Sequence, residues 1–553
     1  MKFEKVSKFE LPKCFPKKWA YRVVSSVNST ISTAKKVFEF KSFLPSDPID
    51  LPIPQSSVCK FVGYLPFKVG SRGMDVTYPN SDFDNYCLDN NLHHKLGWPQ
   101  VFKDKVLLSG GCDTILPNLQ SMATPPPSKF TYDDMVEAII ARKDTIDLPT
   151  LPLPQVSWID SLRINVTAFP GFFSSLFYGN TRADTSEMSS IVAKDLFKRV
   201  LGGRTHALEL WRFGSRPKVV DLSETGKTLR SRPIAMCDDV ISKLCSVVSQ
   251  PLTEALVRSP YSELFVGRAL GYDEVRYIEK KIYSPHHICA SPDWSQYDNH
   301  IYEELIVVAC AILRQCVPSG FGMTNLFYYI CSTIVDKFVV LDPGLVFKIM
   351  KGLPSGHPFT SLVNTIINWV LWSTIFYKYC KRTGRPLDND FATICSGDDT
   401  LLKLPKDINI QLLQEIIDSS GMKLDPIINS IGLFYTTNGT DGVSFLRRRF
   451  HFDGDISWDY LYLIEKMRFP EIKSEGNVHQ LIERTRGYLR MGPGKAESTN
   501  LILGYLKHLG AKEFHDNVSA YQQIYLPYLQ DLHLEFCDNY LNKSGFGELR
   551  KEG

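Results

Sequence analysis

Two adjacent carboxylates, Asp398 and Asp399, stand in an otherwise apolar stretch at residues 392–404. Like charges side by side repel, so the pair needs solvation or a bound cation. Hard divalent ions such as Mg²⁺ take carboxylate oxygens and leave room for phosphate. A solvated Gly-Asp-Asp turn also accounts for an isolated copy of the triplet. A second acidic pair lies upstream in Asp293-Trp294-Ser295-Gln296-Tyr297-Asp298. A strand that ends at the first Asp and turns toward a helix can bring both carboxylates to one pocket; the alternative is that Asp298 caps that helix. Thr360, Asn364 and Asn368 recur every four residues, so they share one helical face. Polar groups on a buried helix need partners, which ribose hydroxyls or a neighbouring helix would supply. In the basic stretch 212–232, alternation places Arg230 and Arg232 on one face of an extended strand, spaced to hold a polyanion or to form surface ion pairs. Gly226-Lys227-Thr228 imitates half of a P-loop, but the position that needs the earlier glycine is Asp221, which excludes one.

These parts fit one reaction. Two divalent ions held by Asp293 and Asp398 would activate an attacking hydroxyl and stabilise the leaving oxygen of an in-line phosphoryl transfer. Arg230 and Arg232 would neutralise a triphosphate. Asn364 and Asp298 would hydrogen-bond a sugar, since a 2′-hydroxyl both donates and accepts. A glycosidase-like acid pair explains none of the basic or sugar-facing groups.

The elements that must position these residues follow from the pattern. β-prone residues run up to Ser396, Gly397-Asp398 makes a tight turn, and apolar residues resume, which predicts a hairpin. Residues 286–292 read as a short buried strand, and 301–316 as a helix with Leu305, Val308 and Ile312 on one face. A Gly/Pro loop at 352–358 leads into a long helix, with Pro358 in its first turn. Residues 359–380 are the most apolar stretch, yet Asn364 and Asn368 interrupt them, so a buried core helix fits better than a membrane span. Asp407 is expected to cap a helix bearing Ile410, Leu413 and Ile417, which Gly421 ends. Lys423 falls in a short strand at 422–424, and 443–452 reads as a β-like run holding Arg447, Arg448 and Arg449, turned at Asp453-Gly454. From residue 460 the pattern is helical at 460–467, 478–489, 498–509 and 518–536. Upstream, proline-rich stretches at 44–66, 123–128 and 148–154 suggest that residues 1–155 form an irregular, extended region. Nine Lys/Arg in residues 1–36 offer a surface for phosphates or simply a solvated face. The aromatic run in 169–182 could guide a single strand by stacking, or pack as core under a loop.

The combination resembles a viral RNA-dependent RNA polymerase. Asp293 to Asp298 matches the family's motif A, Gly352-Leu353-Pro354-Ser355-Gly356 with Thr360 and Asn364 matches motif B, and Ser396-Gly397-Asp398-Asp399 matches motif C. Weaker matches are Lys227 to Arg232 for motif F, Lys423 for motif D, 445–450 for motif E, and Gly171 to Thr181 for the template-guiding motif G. The resemblance covers roughly 165–455. It implies an α+β closed right hand with an antiparallel palm sheet and a helical thumb. The expected division is 1–160 as an extension bridging fingers and thumb, 161–285 fingers, 286–315 palm, 316–350 a fingers insertion, 351–455 palm, and 456–553 thumb and tail. It further implies that Asp293, Asp398 and Asp399 hold two Mg²⁺ ions (Mn²⁺ as a substitute), that Asp298 and Asn364 select ribonucleotides, and that Lys423 protonates pyrophosphate. Lys227, Arg230 and Arg232 would line the nucleotide tunnel, Ser355, Gly356 and Thr360 would bind the NTP, the first two as a mobile loop that follows the template and nascent pair, and Gly171, Thr181, Arg447 and Arg448 would touch RNA. The implied partners are template and nascent RNA, NTPs and a viral capsid protein, for a monomer in the virion interior and host cytoplasm. Ser396 before Gly-Asp-Asp tilts the subgroup toward the polymerases of picobirnaviruses over partitiviruses, both small double-stranded RNA viruses.

The bulk numbers bound this reading without announcing it. At 553 residues, 44% apolar and 12% aromatic, the chain is globular with several subdomains. Its net charge is only +3, so any basic surface is local. The 13 cysteines contain no C-x-x-C pair, which argues against zinc modules and fits reduced thiols. The N-terminus lacks the apolar segment of a signal peptide, and no helicase, protease or methyltransferase signature is visible. The rivals are a reverse transcriptase, which dNTP use would reveal, and a non-catalytic RNA-binding or capsid-associated protein, whose binding would survive loss of Asp398.

Overall fold

The computed structural model describes residues 51–65, 75–77, 80–92, 105–203, 210–221, 230–259, 262–270, 272–320, 322–342, 344–437, 441–452, 454, 456–470, 478–490 and 496–511. The basic stretch 1–36, Lys227 and the expected helix 518–536 lie outside them.

The element order is α+β. At its centre is a four-stranded antiparallel sheet with the order Ala392–Ser396, Asp399–Pro405, His287–Ala290, Ile431–Gly432. Period-two alternation decides what each face touches. Cys395, Leu402 and Leu404 join the main core, whereas Ile394, Leu401 and Cys289 join a second cluster with Ile278 and Ile282 of the helix Tyr272–Ile282. Main-core Trp369, Trp372 and Phe376 lie on the helix Thr360–Thr383. That helix is buried over most of its length, as the sequence predicts. It ends where Gly384 adopts φ 68° and its N–H returns to the Cys380 carbonyl, the left-handed closure that glycine makes cheaply. Its start differs from expectation: Thr360, not Pro358, opens it.

A five-stranded sheet stands beside it in the order Cys59–Tyr64, Leu345–Ile349, Lys337–Leu341, Leu210–Arg216, Arg232–Met236, parallel only between the third and fourth. Among the described residues no helix is long and apolar enough to cross a membrane.

The N-terminal third is more regular than its prolines suggest. It forms the helices Ser81–Asp89, Cys112–Ala123 and Tyr132–Arg142, the last closed by a Thr131/Asp134 capping box. Phe83 and Tyr86 of the first pack with Leu463, Ile464, Leu501 and Tyr505 of the C-terminal helices Tyr460–Arg468 and Ala496–His508. Two local expectations are corrected. Asn409, not Asp407, caps Ile410–Asp418, because Asn409 Oδ1 accepts from Leu412 N while Asp407 pairs with Arg385. The 443–452 run is two strands, Ser444–Phe445 and Arg448–Phe450, turned at Leu446-Arg447 (φ 51° and 60°), and the chain turns again around Gly454 (φ 81°), as expected, into Ile456–Trp458.

Candidate active site

The hairpin forms as read. Ser396 pairs with Asp399, leaving Gly397-Asp398 as a two-residue turn with Gly397 at φ 61°. The helix Thr360–Thr383 grips this turn from both sides. Thr365 Oγ1 accepts from Gly397 N (2.8 Å), and Asn368 Nδ2 donates to Gly397 O (2.9 Å) and Thr400 Oγ1 (2.8 Å). Asn368 Oδ1 accepts from Trp294 Nε1 (3.0 Å), next to Asp293. The third member of the polar stripe therefore spends its amide on aligning the two acidic segments.

Asp293 lies three residues beyond the strand His287–Ala290. Burial raises its carboxyl above the usual range, the Arg447 guanidinium opposes that, and Asp398 and Asp425 add to it. Burial likewise pushes Asp399 up to about 6, with the Asp398 charge adding and Arg447 opposing. These carboxylates feel one another across a shared, partly desolvated space. The sequence reading missed Asp425. An antiparallel bridge pairs Trp294 with Leu424, and Ser295 N donates to Lys423 O (2.9 Å), so Asp425 falls opposite Asp293 and Lys423 opposite Ser295. Lys423 is exposed there, next to the bridge residue Leu424 and outside any strand, where a strand is expected.

Asp298 does not cap a helix. It sits inside the single turn Tyr297–His300, after Gln296 at φ 50°, and its carboxylate accepts from Asn364 Nδ2 (2.8 Å) and Ser355 Oγ (2.9 Å). Burial raises its pKa, while the Asn364 bond and the Arg232 charge pull it down. Asn364 Oδ1 is buried and has no hydrogen-bond partner among the described residues. A buried orphan acceptor is costly unless something donates to it. Thr360 Oγ1, the first stripe member, donates to the Pro354 and His357 carbonyls and so shapes the loop. Gly356 adopts φ 111°, and a Cβ there would lie 2.2 Å from Ala235 O, so only glycine lets the loop rest on the strand Arg232–Met236. Beneath the loop, His357 accepts from Phe359 N at Nδ1 (3.1 Å) and faces Thr333 Oγ1 with Nε2 (3.1 Å); burial lowers its pKa to about 3, which keeps it neutral.

Asp298, Ser355, Thr360, Asn364, Asp398 and Arg232 line one cavity of about 370 Å³. Its second arginine is Arg216 rather than the expected Arg230. The strand begins only at Arg232, which pairs in register with Arg216, while Arg230 is exposed before it. Period-two reading extended the strand too far upstream.

Of the expected RNA contacts, Gly171 is at φ 96° and presses on the Asp238 backbone, and Ser174 N and Oγ donate to the Asp238 carboxylate (2.8 and 2.9 Å). Thr181 caps the helix Arg182–Leu201, its hydroxyl donating to Asp184 (2.9 Å). Arg447 is exposed with its guanidinium 5.5 Å from the Tyr462 ring. Arg448, expected beside it at the RNA path, is instead 4% exposed, lies over Trp458 and donates to Leu446 O. Arg447 stands in the positive-φ turn while Arg448 opens the strand Arg448–Phe450, so one stays exposed and the other goes into the core.

Residues 227–468 match the family model of viral RNA-dependent RNA polymerase. Among curated proteins, the chain is similar to the genome polyprotein of bovine enteric calicivirus NB (29% identical over 171 residues, 30% of this chain and 8% of that protein). It is also similar to the non-structural polyprotein 1AB of Turkey astrovirus 1 (24% over 265 residues, 46% and 16%) and the genome polyprotein of bovine enterovirus VG-5-27 (27% over 243 residues, 44% and 10%). The chain thus spans less than a fifth of each of these relatives.

Proposed function

We propose that the chain is an RNA-dependent RNA polymerase that extends RNA from NTPs on an RNA template. The observation that carries this is the orphan acceptor of Asn364, held by Asp298 within one cavity with Asp398 and Arg232. A ribose places hydroxyl donors where that acceptor needs one, a triphosphate meets the arginines, and the reacting phosphate falls to the acidic turn.

The carboxylates fit a divalent ion in donor type: hard oxygens that share one desolvated space, where the Asp398 charge adds to the raised pKa of both Asp293 and Asp399. Among the described residues no three acidic, His or Cys side chains close into a complete metal site. Asp293, Asp398 and Asp399 would then hold the ions with oxygens of substrate and water completing the shell. Mg²⁺, two ions with Mn²⁺ as a substitute, supplies activation of the 3′-hydroxyl and neutralisation of the leaving pyrophosphate. The chain's own residues orient the rest. Asn368 and Thr365 fix the turn that carries Asp398, Ser355 and Asn364 fix Asp298 against the sugar, and Arg216 and Arg232 align the triphosphate in line. Lys423 would supply a proton to the departing pyrophosphate. The double-stranded RNA virus subgroup finds no support, since the relatives named above come from caliciviruses, astroviruses and an enterovirus.

The test is labelled NTP incorporation on single-stranded RNA with Mg²⁺, wild type against Asp398→Ala. Template-length RNA from the wild type alone is expected, with dNTPs used poorly. Product from both proteins removes Asp398 from catalysis. Efficient dNTP use favours a reverse transcriptase.

A further inference from the structure

We infer that Asn118 is a positioning residue that couples the triphosphate-facing arginine strand to the sugar-facing Asp298; this rests on the polymerase reading above. Asn118 lies on the helix Cys112–Ala123, in the part of the chain upstream of the family match, and lines none of the cavity. Its amide is 6% exposed and reaches in two directions. Nδ2 donates to Ser231 O (2.8 Å), the residue before Arg232. Oδ1 accepts from Asn299 Nδ2 (3.0 Å), the residue after Asp298.

Both ends are held further. Thr114, one turn earlier on the same helical face, meets Ser231 Oγ with its own Oγ1 (2.8 Å), and its carbonyl accepts from Ser231 N (3.0 Å). Asn299 Nδ2 also donates to Gln296 Oε1 (3.2 Å), and Leu353 N donates to Asp298 O (2.8 Å), so the sugar-facing turn and the loop before Ser355 move together. Ser231 and Asn299 are 2% and 4% exposed, so water does not readily replace these bonds. A carboxamide is suited to the place because it donates at one atom and accepts at the other. A shift at either end moves a substrate contact, and the single amide makes the two shifts one.

The experiment is steady-state incorporation by the full chain on a primed RNA template. Four variants are compared: Thr114→Val, which frees the arginine side; Asn299→Ala, which frees the sugar side; Asn118→Leu, which frees both; and Asn118→Leu with Asn299→Ala. Thr114→Val is expected to raise the NTP KM about tenfold with kcat and RNA Kd within about twofold. Asn299→Ala is expected to lower the preference for NTP over dNTP about tenfold. Asn118→Leu should show both effects, and adding Asn299→Ala should cost no more selectivity. Wild-type KM and selectivity in folded Asn118→Leu overturn the inference, as does a parallel fall of kcat, RNA affinity and thermal midpoint, which marks a merely structural network. Should Asn118→Leu not fold, Asn299→Ala carries the test, since it breaks the Asn118 bond on the sugar side, and unchanged NTP-over-dNTP selectivity there overturns the inference. An inactive wild type strikes instead at the polymerase reading, since these comparisons all presuppose its activity.

Discussion

Asn364 shows how a single atom states what is missing. Its Nδ2 is used on Asp298, and its Oδ1 waits in a buried place without a donor among the described residues. Asp298→Ala removes the group that orients that amide and one acceptor for the sugar. The expected result is a loss of about tenfold to a hundredfold in NTP over dNTP preference, the scale of one hydrogen bond to a charged group. Competition between labelled NTP and dNTP on one template reads it, and unchanged selectivity would remove Asp298 from sugar recognition. At this scale, part of the site is legible in the sequence, because Thr360, Asn364 and Asn368 stand at a spacing that helix geometry converts directly into a shared face. Asp425, Arg216 and His357 are not, since each gains its place from a pairing partner distant in the chain: Asp425 opposite Asp293, Arg216 opposite Arg232 along the strand, and His357 against Thr333. Arg448 misleads for the opposite reason: its type suggests RNA, and its side chain goes to Trp458.

Elements carry their own titratable burdens. Lys337 opens the strand Lys337–Leu341, is 0% exposed, and donates to the Ile334 and Val335 carbonyls at the end of the helix Met323–Val335. Burial lowers its pKa to about 7, with Asp336 and Glu303 pulling the other way. The unfolded chain keeps this proton to about pH 10.4, so between these values it binds more protons than the fold does. The resulting destabilisation is complete below pH 7 and fades as pH rises toward 10. Lys337→Met, similar in length and uncharged, is therefore expected to raise the thermal midpoint more at pH 6.5 than at pH 9.5. Equal shifts at both, followed by circular dichroism, would mean that the ammonium is not the source. Periodicity places strands and helices here but misses the Asn409 cap, where two eligible residues two positions apart compete and Arg385 takes the other.

The molecule as a whole is larger than its recognisable part. Glu263, 0% exposed, receives both oxygens' worth of bonds from Arg142 Nη2 (2.9 and 2.7 Å), one from Thr145 Oγ1 (2.6 Å) and one from Trp369 Nε1 (2.9 Å). Arg142 also donates to Phe391 O (2.9 Å), just before the hairpin that carries Asp398. A fragment of residues 165–470, which spans the family match, keeps the carboxylate and loses the guanidinium. Breaking a buried pair on one side costs about 3–5 kcal/mol, a large share of ordinary stability. Such a fragment is expected to show no cooperative thermal transition, and one melting like the full chain would show the upstream helices to be dispensable. No motif announces this dependence, because Arg142 and Glu263 are 121 residues apart and neither stands in a pattern.

The same joint has a consequence for how copies of the protein meet one another. The strand Ala392–Ser396 ends its sheet, and a bare end strand of apolar residues is a template on which another chain can add itself. Here Cys395 N donates to Glu263 O (2.9 Å) and Cys395 O accepts from Phe265 N (2.8 Å), through a parallel bridge between Leu264 and Cys395. The middle of this edge is thus already taken by the chain's own backbone, in a segment that the Arg142–Glu263 ion pair holds down, so another chain would have to displace that segment before it could add a strand here.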